Sequence, residues 1–334
     1  MIALVTGGAG FIGQHTVHAL CDQGHEVHVL DANQPCATGW DSVQQRIGDR
    51  LYLGDVCDPR AVANLFERVA FDVVLHLAAQ SHVDESLLNP VETLRVNALG
   101  THVIADACAK RNVPLVYCST DEVYGDIDDR NTRGLAWIET DPLAPSSPYS
   151  AGKAAGELIV RAMARTIGLR FIITRGSNAF GSGQYTEKLV PIAFSMLQRG
   201  ERVPLHGGGH QVRQWVHVSE FAEMLCRSAV LLAAGDKAVE NVTMNIAGPV
   251  RCTVREVVEM IARYLNVPSD QAWRKVPDRP GGDAAYHVSG QLAEHLIEFK
   301  ARRRLDDVLE LKALKHAYPS SGVCNLTTYE ETAA

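Results

Sequence analysis

The chain has 334 residues, 46% hydrophobic and 21% charged, with a formal net charge of −7. This is the balance of a globular enzyme with a sizeable core, and it excludes a disordered chain. The mild acidity excludes a general attraction to nucleic acid or an anionic membrane, so any anionic ligand has to be held by local arginines.

Short β-type apolar runs predict strands at 3–6, 26–30, 51–53, 73–77, 115–119 and 170–174, with helices near 11–23, 59–69, 91–111 and 149–167 between them. Such alternation predicts parallel βαβ units covered on both faces, an α/β Rossmann doubly wound parallel sheet. Beyond residue 175, glycine-rich loops and helices near 187–199, 219–233 and 253–265 predict a smaller interleaved α/β substrate-binding lobe. Strands at 212–218 and 242–246 are expected to return to the sheet. The expected division is therefore residues 1–175, with returning strands about 212–248, as the dinucleotide-binding domain. Residues 176–211 and 249–318 form the lobe, and 319–334 a polar tail. Eight cysteines with no C-x-x-C pair predict reduced, packed thiols and no metal site. No basic leader segment and no 18-residue apolar run occur, so a cytoplasmic protein is expected.

The first strand runs into Thr6-Gly-Gly-Ala-Gly-Phe-Ile-Gly13, which opens the first helix. Gly7, Gly10 and Gly13 permit a tight turn, close approach to a pyrophosphate and helix–strand packing, with Phe11 and Ile12 on the same turn. Asp31 lies 18 residues beyond Gly13 at the end of the second strand, where a carboxylate accepts ribose hydroxyls and repels a 2′-phosphate. NAD is the expected cofactor. Asp55 and Val56 are expected to flank its adenine, and the small-residue stretch Leu77-Ala78-Ala79 to let it pass closely.

Tyr149 and Lys153 are i and i+4 on a helix that Pro148 can start, so they share one face. The pair can move a hydride on and off a nicotinamide. Tyr149 is expected to act as base, its pKa lowered by the ammonium and by an oxidised nicotinamide, while Lys153 also holds the nicotinamide ribose. Thr120 is a candidate hydroxyl relay. Upstream, Asp121 and Glu122 leave the fifth strand together. A proton donor beside an acceptor is more than a simple dehydrogenase needs, and points to water loss as the outcome.

With TGGAGFIG, HLAAQSHVDES (76–86), NALGTH (97–102), STDEVYGD (119–126), YSAGK, RGSNAFGSGQYTEKLVP (175–191), VRQWVHV (212–218) and DRPGGD (278–283), the chain resembles the extended short-chain dehydrogenases/reductases. Within the NAD-dependent epimerase/dehydratase family it is most similar to the members that dehydrate a nucleotide-activated hexose. The resemblance implies that Thr120, Asp121 and Glu122 are active-site groups. Oxidation at C4 makes the C5 proton removable; Glu122 takes it, and protonated Asp121 donates to the departing C6 hydroxyl. It also implies substrate contacts at Ser81, Asn178, Glu187, Lys188 and Leu189, with Arg213 and Arg279 on a diphosphate. A dTDP-hexose is the favoured partner, and a homodimer is implied through helices 91–111 and 149–167.

The chain departs from the family pattern at Gly282, where a histidine is usual, at Ala285, at Gln214 and at Ala179-Phe180. Alternatives that remain are a 5,6-dehydratase, a C4 epimerase or decarboxylase, and a non-catalytic NAD-binding protein.

Overall fold

The computed structural model describes residues 1–127, 135–278 and 282–318. In chain order the strands are β1 (Ile2–Thr6), β2 (Glu26–Asp31), β3 (Leu51–Leu53), β4 (Val73–His76), β5 (Leu115–Thr120), β6 (Phe171–Gly176), β7 (Asn178–Phe180), β8 (Val203–His206), β9 (Val212–His217), β10 (Val242–Ile246), β11 (Val250–Thr253) and β12 (Trp273–Val276). The helices of the first half are α1 (Phe11–Asp22), α2 (Trp40–Ile47), α3 (Pro59–Arg68), α4 (Val83–Leu88), α5 (Pro90–Leu94), α6 (Thr101–Lys110) and α7 (Pro148–Ile167). Those of the second half are α8 (Leu189–Gln198), α9 (Val218–Ala233), α10 (Val254–Tyr264), α11 (Ser269–Ala272), α12 (Gln291–Ile297) and α13 (Val308–Ala317).

Seven strands form one parallel sheet in the order β10-β6-β5-β4-β1-β2-β3. Its alternate side chains feed two cores. Ala3 and Val5 pack with Val17 and Leu20 of α1 and Phe221 and Leu225 of α9. Leu4 packs with Ile104 of α6 and Val160 of α7 on the opposite face. The strand order reverses between β1 and β4, and there the carboxyl ends of the strands open a crevice. This is the doubly wound sheet expected from the sequence, with a smaller α/β lobe on it.

Of the two expected returning strands, only β10 joins the sheet, parallel to β6. β9 instead pairs with β7 and β11 in a separate three-stranded sheet. In that sheet its buried polar residues find partners: Arg213 donates to the Val212 and Asp283 carbonyls, and Gln214 spans the Gly248 carbonyl (2.8 Å) and the Val288 N–H (3.0 Å).

The single helix expected over 91–111 is α5, a π turn over Arg95–Gly100, and α6. The Arg95 carbonyl of that turn accepts from the Cys57 thiol at 3.3 Å. The lobe's own core gathers Phe180, Phe194, Leu205, Trp215, Val257 and Ile261, closed by Leu311 and Leu314 of α13. The polar tail expected from 319 lies outside the described residues. Among the described residues no helix is long and apolar enough to cross a membrane, and seven cysteines are free.

Candidate active site

The glycine turn is built for close approach. Gly7 sits at φ +68°, and a Cβ there would stand 2.7 Å from the backbone of Ala78. At Gly13 a Cβ would lie 2.1 Å from the Gly7 carbonyl oxygen. No side chain caps α1 at Gly10 and no acid occupies its first turn, so the N–H groups of Phe11, Ile12 and Gly13 remain for a phosphate.

Asp31, 7% exposed, accepts the Ala9 N–H and the Asn33 N–H, each at 2.9 Å. Burial pushes its pKa up, against those two donors. Asp55 accepts from Cys57 N (2.9 Å) and Arg95 Nη1 (2.8 Å), beside buried Val56. Leu77 and Ala78 close the crevice at the end of β4, their N–H groups bonded to Thr6, and Ala79 follows, half-buried. A backbone cradle, an uncapped helix start and a carboxylate at the end of the second strand are together what a dinucleotide requires.

β5 ends at Thr120, whose hydroxyl caps the 3₁₀ turn Asp121–Tyr124 by accepting the Glu122 N–H at 3.3 Å. That cap turns Asp121 inward, where it is 2% exposed, and leaves Glu122 on the cleft wall. Burial, and then the neighbouring Glu122 carboxylate, push the Asp121 pKa up to about 8, with Arg213 and Thr120 pulling the other way. Its Oδ2 is buried with no hydrogen-bond partner among the described residues.

α7 begins at the Ser147–Ser150 capping box with Pro148 in its first turn, as the motif predicts. The expected lowering of the Tyr149 pKa is not what the protein alone produces. Burial raises it well above the usual tyrosine value, Glu122 and Cys118 add to the rise, and Thr120 opposes it. One turn on, Lys153 Nζ lies over the Tyr117 ring, 4.7 Å from the centroid, and burial lowers its own pKa.

Behind these residues stands a buried pair that the motifs do not reveal. Glu157, fully buried, accepts from Ser119 Oγ at 2.6 Å and from Arg175 Nε and Nη2 at 3.0 and 2.7 Å. The available signal was its spacing, since Tyr149, Lys153 and Glu157 form one i, i+4, i+8 stripe.

Beyond Glu122 a cleft of about 360 Å³ brings together Ser81, Asn178, Glu187, Lys188, Leu189 and Arg213. Lys188 Nζ donates to the Ser81 carbonyl at 3.0 Å, and His82 Nε2 lies 3.6 Å from Glu187 Oε2. These contacts join the segment that follows β4 to the one that precedes α8. Asn178 Oδ1 is buried without a partner among the described residues. Its apolar lining includes Val203, Leu205, Trp215 and Val276; β8 and β12, which supply three of the four, were not expected. Arg279 lies outside the described residues. Gln214 points away from the cleft into the contacts given above. A separate, shallower hollow of about 550 Å³ between β11 and α10 holds none of these residues.

The pattern of the NAD dependent epimerase/dehydratase family matches residues 3–247. The dTDP-glucose 4,6-dehydratase of Streptomyces niveus is 38% identical over 318 residues, covering 92% of this chain and 90% of that protein. dTDP-glucose 4,6-dehydratase 1 of Escherichia coli K12 is 33% identical over 330 residues, with the same coverage. Among solved structures, DesIV, a dTDP-glucose 4,6-dehydratase from Streptomyces venezuelae with NAD and TYD bound, superposes with a TM-score of 0.84 at 33% identity, covering 95% of this chain and 97% of that one. A UDP-glucose 4-epimerase from Thermotoga maritima with UDP-glucose gives 0.83 at 26% identity, with 95% and 98% covered.

Proposed function

The chain belongs to the NAD dependent epimerase/dehydratase family, and we propose that it converts a dTDP-hexose, dTDP-glucose first, into the 4-keto-6-deoxy sugar by net loss of water. NAD is the cofactor: Gly7, Phe11, Ile12 and Gly13 would hold its pyrophosphate and Asp31 its adenosine ribose. Bound NAD supplies a hydride store, filled from C4 and emptied at C6.

The observation that carries the reading is Asp121: a buried carboxyl with a pKa near 8 and an unpartnered oxygen, one residue from Glu122 on the cleft wall. Held neutral at pH 7, Asp121 donates its proton to the leaving C6 hydroxyl. Glu122 takes the C5 proton. Tyr149, with Thr120 beside it, takes the C4 hydroxyl proton, and Lys153 supplies the positive charge that this base requires. General acid–base assistance of this kind is worth roughly 100- to 10,000-fold per group. Asn178, Lys188 and Arg213 would hold the nucleotide diphosphate, with Ser81, Glu187 and Leu189 completing the wall.

A C4 epimerase needs the tyrosine and NAD but neither acid, so a buried protonated aspartate favours the dehydratase. Incubation with dTDP-glucose deuterated at C4 tests this directly. The expected product has the alkali-induced absorbance of a 4-keto sugar and carries the label at C6. An epimeric hexose, a 5,6-alkene that carries no label at C6, or unchanged substrate would each overturn the assignment.

We infer a division of labour in which residues 1–175 with β10 bind the cofactor, and the lobe, with β9, binds the sugar nucleotide. The helix face carrying Val91 (80% exposed), Leu99 (48%) and Leu158 (60%) is the proposed contact of a homodimer. A cytoplasmic setting fits the free thiols.

A further inference from the structure

We propose that Tyr286 is a positioning residue: its ring clamps Arg213 in place for the substrate diphosphate and keeps the guanidinium off the catalytic acid pair. This rests on the reading that Arg213 meets the diphosphate.

Arg213 is 8% exposed and Tyr286 4%, yet both line the cleft. The guanidinium carbon lies 4.4 Å from the centroid of the Tyr286 ring, a cation–π contact that fixes the plane of the fork. Two carbonyls fix its rotation: Nη1 donates to Val212 O at 2.8 Å and Nη2 to Asp283 O at 3.0 Å. The other N–H groups have no partner among the described residues and remain for phosphate oxygens.

The ring is itself anchored. The Tyr286 hydroxyl and the Ser146 hydroxyl both donate to Asp283 Oδ2. Ser146 adjoins Ser147, the N-cap of α7, so the same carboxylate ties the arginine's clamp to the helix that carries Tyr149.

A clamp is needed because Arg213 already lowers the Asp121 pKa from where it stands, while Glu122 acts on both Asp121 and Tyr286. A freed guanidinium would pair with these acids instead of with phosphate. It would then ionise the carboxyl that has to remain a proton donor.

The test compares steady-state constants for dTDP-glucose in Y286M, Y286F and R213M, each checked for bound NAD. Loss of the ring in Y286M is expected to raise KM about 10-fold, within the 2- to 30-fold span of such contacts. The high-pH limb of kcat should also move to lower pH. Y286F, which keeps the ring and loses only the hydroxyl, should recover most of the KM. R213M should raise KM more than Y286M does. An unchanged KM in R213M would overturn the diphosphate reading of Arg213. A raised KM in R213M with an unchanged KM in Y286M, or Y286F no better than Y286M, would overturn the clamp. Should Y286M not fold, Y286L reads the same loss.

Discussion

Replacing Asp121 by Asn is expected to destroy catalysis while stabilising the fold at neutral and higher pH. The folded protein holds this carboxyl's pKa at about 8, against an ordinary value of 3.8. From about pH 4 to about pH 8 the folded state therefore keeps a proton that the unfolded chain has released. Stability drains away as pH rises through that window, by about 1.4 kcal/mol per pH unit. The full shift of about 4 units corresponds to a ceiling of about 6 kcal/mol, of which about 4 kcal/mol is already lost at pH 7. Asparagine has the same shape and no proton to lose, so this slope vanishes. Urea unfolding of both proteins, followed by tryptophan fluorescence at a series of pH values, isolates the effect, because other titrating groups largely cancel in the difference. The advantage of D121N should grow from about pH 4, level off above about pH 8, and be smaller at pH 5 than at pH 8. In parallel, turnover of D121N should fall roughly 100- to 10,000-fold, and wild-type kcat should decline above about pH 8 as the acid ionises. A stability difference that does not vary with pH would refute the buried, protonated aspartate.

Tyr149→Phe should retain NAD yet fail to oxidise C4, seen as loss of the transient 340 nm absorbance on adding substrate, with turnover down roughly 100-fold or more. Gly13→Ala would place a methyl 2.1 Å from the Gly7 carbonyl oxygen; purified protein should carry little NAD, measured by absorbance after acid release. Glu157→Ala leaves Arg175 buried without its carboxylate, and should cost about 3–5 kcal/mol by denaturant titration. If the proposed helix face is the subunit contact, Leu158→Asp should yield monomers by sedimentation.

What the sequence alone determined is what depends on neighbours along the chain. The glycine turn, Asp31 at its strand end and the Tyr149–Lys153 spacing are local geometries, and each stands where its motif predicts. The adjacency of Asp121 and Glu122 is local too. Their inequality is not: the Thr120 cap sends one inward and leaves the other on the cleft wall, and burial then raises the pKa of Asp121.

The rest was decided by residues far apart in sequence. β9 lies outside the main sheet, paired with β7 and β11, and its buried Arg213 and Gln214 take their partners from segments far along the chain, something its alternation could not encode. Lys188 reaches the Ser81 carbonyl and Tyr286 lies under Arg213 in the cleft, and Glu157 pairs with Arg175 behind it, only because folding brings separate segments together. The raised Tyr149 pKa has the same origin. A side chain's charge depends on everything packed around it, so the motif could single out Tyr149 as the proposed base, but only the tertiary structure could state that burial holds it protonated in the protein by itself.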